Sequence, residues 1–173
     1  KVPEEFEQHL RSDVSVLSYF CKPHGFFPNN PQLPLLIYQR AFSSENDFSF
    51  LNKLFEGNSW RKDWEWTIFD YAHYHSTAHE LLTIVRGSAD FQFEGPQGLI
   101  HTVSKGDVIA IPAGVAHRCV EDRDLWVVGA YPRGQSWDVV RGESTQELLE
   151  AVDRIVQVPL PTADPLYGAQ GPM

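Results

Sequence analysis

Three imidazoles and one carboxylate stand at spacings that can hold a metal ion. His73, His75 and Glu80 lie in the block His73-Tyr-His-Ser-Thr-Ala-His-Glu80. His117 closes a second block, Gly106-Asp-Val-Ile-Ala-Ile-Pro-Ala-Gly-Val-Ala-His117. Neutral imidazole and carboxylate suit Fe, Mn, Ni, Cu or Zn, and donor type alone does not choose among them. Three neutral histidines and one carboxylate around a divalent cation leave one net positive charge. An open position on that cation attracts an anion, an enolate or activated oxygen.

Strand geometry says how such a set can converge. Side chains two apart on a strand share a face. His73 and His75 therefore look into one space, with Tyr74 turned away. Glu80, Leu82 and Ile84 share a face, and His79 falls on the opposite one. Parity thus picks Glu80 over His79 as a ligand and gives His79 a surface or hydrogen-bonded role. His117 has to come from a distant strand, after the tight turn Pro112-Ala-Gly114. Tyr71 shares parity with His73 and is a candidate acid or hydrogen-bond donor. Phe69, Leu82, Ile84, Phe91, Phe93 and Cys119 are candidate pocket lining or core. Trp60, Trp64 and Trp66 share one parity and are expected to pack under the N-terminal segment and helix. His101 reads as a strand histidine, and His9 and His24 as structural.

The elements around these blocks are mostly short strands. From Trp60 to Tyr131 apolar runs recur at Glu65–Tyr74, Glu80–Val85, Ala89–Glu94, Ile100–Val103, Asp107–Ile111, His117–Val120 and Leu125–Tyr131. Gly87, Gly95-Pro96, Gly98, Gly106 and Pro112-Ala-Gly114 punctuate them, as in an antiparallel sandwich or small barrel. Before them, Glu4–Arg11 reads as a short helix, and Asp13–Phe20 and Leu35–Arg40 as extended segments. The proline-rich stretch between those segments reads as an ordered loop. Ser44 is placed to cap a helix whose apolar face is Phe48, Leu51 and Phe55, ending at Gly57. After the strands, Ser144-Thr-Gln-Glu147 is a capping box for a helix with the stripe Leu148, Leu149, Val152, Ile155 and Val156. Residues 159–173 read as an extended strap. The expected organisation is an N-terminal arm and helix over 1–58, a barrel core over 59–135, and a helix and strap over 136–173, all one domain.

Bulk composition narrows the partners. The chain has 173 residues and a formal charge of −9, with no basic patch or Arg-rich helix. That argues against nucleic acid and anionic membrane surfaces. No helix-turn-helix pattern occupies the acidic, proline-broken first third. No stretch is long and apolar enough to cross a membrane. The two cysteines, Cys21 and Cys119, form no C-x-x-C pair, so a reducing, cytoplasmic setting is expected. The N-terminus shows no signal-peptide core, and a removed leader is left open because the chain does not begin with Met.

The two blocks resemble the two motifs of the cupin superfamily, His-x-His-x₄-Glu-x₆-Gly and Gly-x₅-Pro-x-Gly-x₂-His. Here they read His73, His75, Glu80, Gly87, then Gly106, Pro112, Gly114, His117. Thr67 stands where the first motif usually opens with Gly, and Glu121 where the second usually closes with Asn. Neither position is a ligand. The stretches Phe27–Tyr38, Tyr71–Glu80 and Pro165-Leu-Tyr-Gly168 further resemble a group of short cupins called YjlB-like. The resemblance implies a mainly β, single-domain antiparallel jelly-roll barrel, a homodimer, and one divalent transition metal held by His73, His75, Glu80 and His117. It leaves the reaction open. The expected function is a metal-dependent enzyme acting on a small organic molecule, foremost an Fe(II)-type dioxygenase. The alternatives are a metal-dependent isomerase or decarboxylase, with Tyr71 as proton carrier, and a non-catalytic small-molecule-binding protein.

Overall fold

Alternation along each strand sorts the apolar residues of this chain onto two faces of one sheet, and each face has its own core. The computed structural model describes residues 9–11, 13–43, 45, 47–169 and 171–173. In chain order its elements are β1 (Ser15–Tyr19), β2 (Leu35–Gln39), α1 (Leu51–Gly57), β3 (Trp60–Trp66), β4 (Glu80–Phe93), β5 (Ile100–Ser104), β6 (Val108–Ile111), β7 (His117–Pro132) and α2 (Thr145–Ile155). All pairings are antiparallel, in the order β1-β2-β6-β4-β7-β3, with β5 on the far half of β4. The fold is a jelly-roll barrel. Leu35, Ile37, Leu82, Ile84, Ile109, Ile111 and Val127 fill its interior. The alternate residues Leu36, Tyr38, Leu81, Val108, Ala110, Val128 and Ala130 face outward. They are covered by Leu51, Leu54 and Phe55 of α1 and by Leu166 of the C-terminal strap. No helix among the described residues is long and apolar enough to cross a membrane.

Several sequence expectations are corrected. The runs Glu80–Val85 and Ala89–Glu94 are one strand, β4, and His117–Val120 and Leu125–Tyr131 are one strand, β7. Gly87 is not a turn between strands. It adopts φ +73 within β4, where the pairing with β7 shifts register on both sides of Arg86. A Cβ there would meet the Asp124 carbonyl at 2.2 Å, so only glycine lets the two bent strands approach. The Glu65–Tyr74 run is not one strand either: β3 ends at Trp66, His73 meets the sheet through a single bridge to His117, and Tyr74 bridges to Val140 beyond the end of β7.

The helices also differ from expectation. The helix expected over Glu4–Arg11 falls largely outside the described residues, and its described end, His9 to Arg11, is turn and bridge. The Ser44 cap lies outside the described residues. α1 starts only at Leu51, because Phe48 takes φ +62 and the Asp47 carboxylate accepts the Ser49 N–H and hydroxyl in a turn. Phe48, Leu51 and Phe55 are buried as their spacing implies. In α2, Ser144 caps the Glu147 N–H as expected, while the Glu147 carboxylate returns to the Glu143 N–H. Of the expected α2 stripe only Ile155 is buried, with Ala151 beside it; Leu149 and Val156 are 59% and 66% exposed.

The strap is fastened by one buried carboxylate. Asp164 accepts the Tyr38 hydroxyl at 2.5 Å and the N–H groups of Leu166, Tyr167 and Met173 at 2.8, 2.9 and 3.3 Å. Removing it leaves a fully buried phenol and several strap amides unpaired. Asp164→Ala is therefore expected to lower stability by about 2–4 kcal/mol in urea unfolding. A change below about 0.5 kcal/mol would show that the strap does not hold the outer core.

Candidate metal centre

The site forms where β4 and β7 begin. Glu80 is the first residue of β4 and His117 the first of β7. His73 reaches them because its backbone exchanges hydrogen bonds with His117, at 3.2 and 2.9 Å. The turn before β7 is tied to the same segment, since the Gly114 N–H donates to the His75 carbonyl at 2.7 Å. Gly114 has φ +92, and a Cβ there would meet the Asn29 carbonyl at 2.5 Å. The result brings nitrogens of His73, His75 and His117 within 4.8 Å of one another, all buried. Glu80 Oε2 lies 3.1 Å from His75 Nε2, and Oε1 lies 3.1 Å from His117 Nε2.

Hydrogen bonding fixes which nitrogen of each ring is available. His73 Nδ1 meets the Tyr71 carbonyl at 3.1 Å, His117 Nδ1 the Val115 carbonyl at 3.0 Å, and His75 Nδ1 the Asp138 carbonyl. A carbonyl only accepts, so each Nδ1 carries the hydrogen and a neutral ring presents a lone pair at Nε2. His117 Nε2 and Glu80 Oε1 are buried without a hydrogen-bond partner despite their 3.1 Å separation. Two buried acceptors this close repel unless a cation or proton lies between them. Burial, reinforced by His117, pulls His73 down to about 3, so it stays neutral. Burial also works against charge on His75, but the Glu80 charge outweighs it and raises this imidazole. Burial disfavours the Glu80 anion too, yet the His75 and His117 imidazoles hold it well below the usual carboxylate range. Lone pairs from three imidazoles and a carboxylate kept ionised fit a divalent cation.

Comparison with known proteins decides the family. A family model described as Cupin matches residues 71–130. The uncharacterized protein YjlB of Bacillus subtilis (strain 168) is 37% identical over 157 residues, covering 90% of this chain and 93% of its own. The chain belongs to the YjlB-like cupins. Among solved structures it is similar to an oxalate decarboxylase variant from Bacillus subtilis, with TM-score 0.34 and 15% identity over 62% of this chain and 22% of that one. It is also similar to an acireductone dioxygenase from Bacillus anthracis, with TM-score 0.34 and 21% identity over 62% and 54% of the two chains. The chain thus spans about a fifth of the first enzyme and about half of the second.

In this cupin the candidate centre floors a cavity of about 260 Å³. His73, His75 and Glu80 meet the walls there, and Trp64, Trp66, Phe69, Tyr131 and Trp137 supply most of the remaining surface. Of the expected lining, Phe69 is present. Leu82, Ile84, Phe91, Phe93 and Cys119 are not; they pack in the solid interior, because the cavity occupies only the end of the barrel where β4 starts. Burial raises the Cys119 thiol to about 11. Tyr71 also lies outside the cavity. Its ring stacks on Phe69 at 4.8 Å and under the Arg141 guanidinium at 3.8 Å. The tryptophans divide as parity did not foresee, because β3 carries a bulge between Lys62 and Trp64. Trp60 packs in the outer core and donates to the Ala163 carbonyl, whereas Trp64 and Trp66 turn to the cavity. His79 stays away from the centre as parity requires, but it is buried, and its Nδ1 accepts the Ala113 N–H at 2.9 Å.

Sequence reasoning missed Tyr131. Its hydroxyl donates to Glu80 Oε2 at 2.6 Å and accepts from Trp64 Nε1 at 2.8 Å. The register that pairs Leu81 with Ala130 sets Tyr131 beside Glu80, and that register is not written in either strand alone. Trp64 can lie there because its partner is Gly129, where a Cβ would meet the indole at 2.1 Å. Tyr131→Phe keeps the shape and removes the donor that orients Glu80. It is expected to weaken Zn²⁺ affinity by about tenfold or more in competition with a chromophoric chelator. Unchanged affinity would mean that Glu80 orientation does not matter to the metal.

Proposed function

We propose that this cupin is a metal-dependent enzyme acting on a small organic molecule, with an Fe(II)-type dioxygenase as the reading best supported. One observation carries it: the lone pairs of His73, His75 and His117 converge beside an ionised Glu80, and His73, His75 and Glu80 open onto the floor of a largely aromatic cavity. A divalent metal bound there would act as a Lewis acid and, as iron, exchange electrons with oxygen. The ligands proposed are His73, His75, Glu80 and His117. Their carbonyl partners hold the rings in place, Tyr131 orients Glu80, and the aromatic walls keep water from the reacting molecule. A homodimer in the cytoplasm belongs to the same proposal, with the described residues of the 1–58 and 136–173 segments folded onto the 59–135 barrel as one domain. The outer edge of β1 lies at the end of the sheet order and exposes Val16 and Phe20 nearby, which fits such an assembly.

A second reading, isomerase or decarboxylase, draws on a different residue from the one sequence favoured. Such chemistry needs a proton-bearing group in the cavity, and that group is the Tyr131 hydroxyl in place of Tyr71. Oxygen uptake separates the two. Anaerobic loading with Fe²⁺, followed by addition of candidate substrates and air, is expected to give oxygen consumption that Glu80→Ala abolishes. Product formed without oxygen would select the isomerase or decarboxylase. Protein that carries stoichiometric zinc and stays inert with iron would contradict the dioxygenase.

A further inference from the structure

The walls of the cavity say what can occupy it. Apart from the residues proposed as ligands, the one charged side chain lining it among the described residues is Asp63. Its carboxylate is already engaged, by Trp137 Nε1 and by Arg61 Nη1, each at 2.8 Å. Among the described residues no lysine or arginine lines the cavity. Both hydrogen-bonding indoles with known partners spend their N–H on the protein, Trp64 on Tyr131 and Trp137 on Asp63. What faces the interior is therefore mostly ring surface, with Thr67 and Ile68 beside it. Phe69 meets the His73 ring edge to face at 5.2 Å, and Trp137 meets His75 the same way at 5.7 Å, so aromatic surface begins directly at the imidazoles.

Charge and size set the rest. A divalent metal with one carboxylate carries one net positive charge, which a monoanion cancels. A second negative charge would be desolvated against aromatic walls with no cation to meet it. A dry cavity of about 150 Å³ accepts a benzene ring. The 260 Å³ here thus admits one substituted ring or a small fused pair. Flat π surfaces favour flat partners, stacked or edge to face.

Resting on the metal-centre assignment, we infer that this cavity takes a small planar aromatic or conjugated monoanion, a phenolate or enolate, with its anionic oxygen toward the histidines. Dicarboxylates and sugar phosphates are rejected.

Calorimetric titration of the zinc-loaded full chain tests this, with zinc preventing turnover. The probes are 4-nitrophenolate, succinate and glucose 6-phosphate, at a pH where the phenol is ionised. The phenolate is expected to bind at least about a hundredfold more tightly than either dianion, about 2.7 kcal/mol. Trp66→Ala alters a wall residue that is 53% exposed and not needed for the core. It is expected to weaken the phenolate about fivefold while zinc binding is unchanged. Equal or tighter binding of succinate or glucose 6-phosphate would overturn the inference, as would zinc-loaded protein that binds no phenolate. Failure of zinc itself to bind would overturn the metal-centre reading alone. Phenolate binding to that zinc-free protein, weakened by Trp66→Ala, would still support the aromatic class.

Discussion

Three hydrogen bonds from imidazole Nδ1 to backbone carbonyls are the constraint on which the centre depends. They turn each ring so that Nε2 faces the same small volume, and they come from separate parts of the chain. For His73 and His117 the carbonyl lies two residues back, so the local backbone orients the ring. For His75 it belongs to Asp138, beyond the end of β7. Asp138 is itself tied down: its carboxylate accepts the Ser76 N–H at 2.6 Å and the Ser76 hydroxyl, and Arg154 of α2 donates to that hydroxyl at 2.7 Å. α2 therefore reaches the centre through Ser76 and Asp138, which gives the helix a purpose beyond covering the barrel.

The carboxylate has its own support, running inward from the sheet. Gly129 leaves room for Trp64, Trp64 donates to Tyr131, and Tyr131 donates to Glu80. The indole and the phenol also form cavity wall, so the groups that orient the carboxylate are the groups that shape the ligand space. At Trp64 and Tyr131 binding site and support are one structure, and a change at either will be felt at the centre.

Much of this was legible in the sequence. The period-two rule set Glu80 with Leu82 and Ile84 on the inner face and His79 on the other, and the side chains lie that way. The glycine turn before His117 was readable on other grounds, since Gly114 takes φ +92 against the Asn29 carbonyl, a conformation that favours glycine. Parity failed where strands bulge. The extra residue between Lys62 and Trp64 sends Trp60 outward and Trp64 inward. Gly87 bends β4 instead of ending it. Tyr71 sits in a segment that is not strand, so its parity with His73 did not carry its ring to the cavity. Tyr131 needed the register of β4 against β7, a long-range pairing that no local pattern encodes.

The claim at the centre is that these imidazoles hold a metal together with a carboxylate. X-ray absorption at the zinc edge, on protein loaded with one equivalent per chain, reads the donor shell directly. The structure predicts a nitrogen and oxygen shell near 2.0–2.2 Å with the outer-shell scattering of about three imidazoles. A shell containing sulfur, or one of oxygen alone without imidazole scattering, would contradict it.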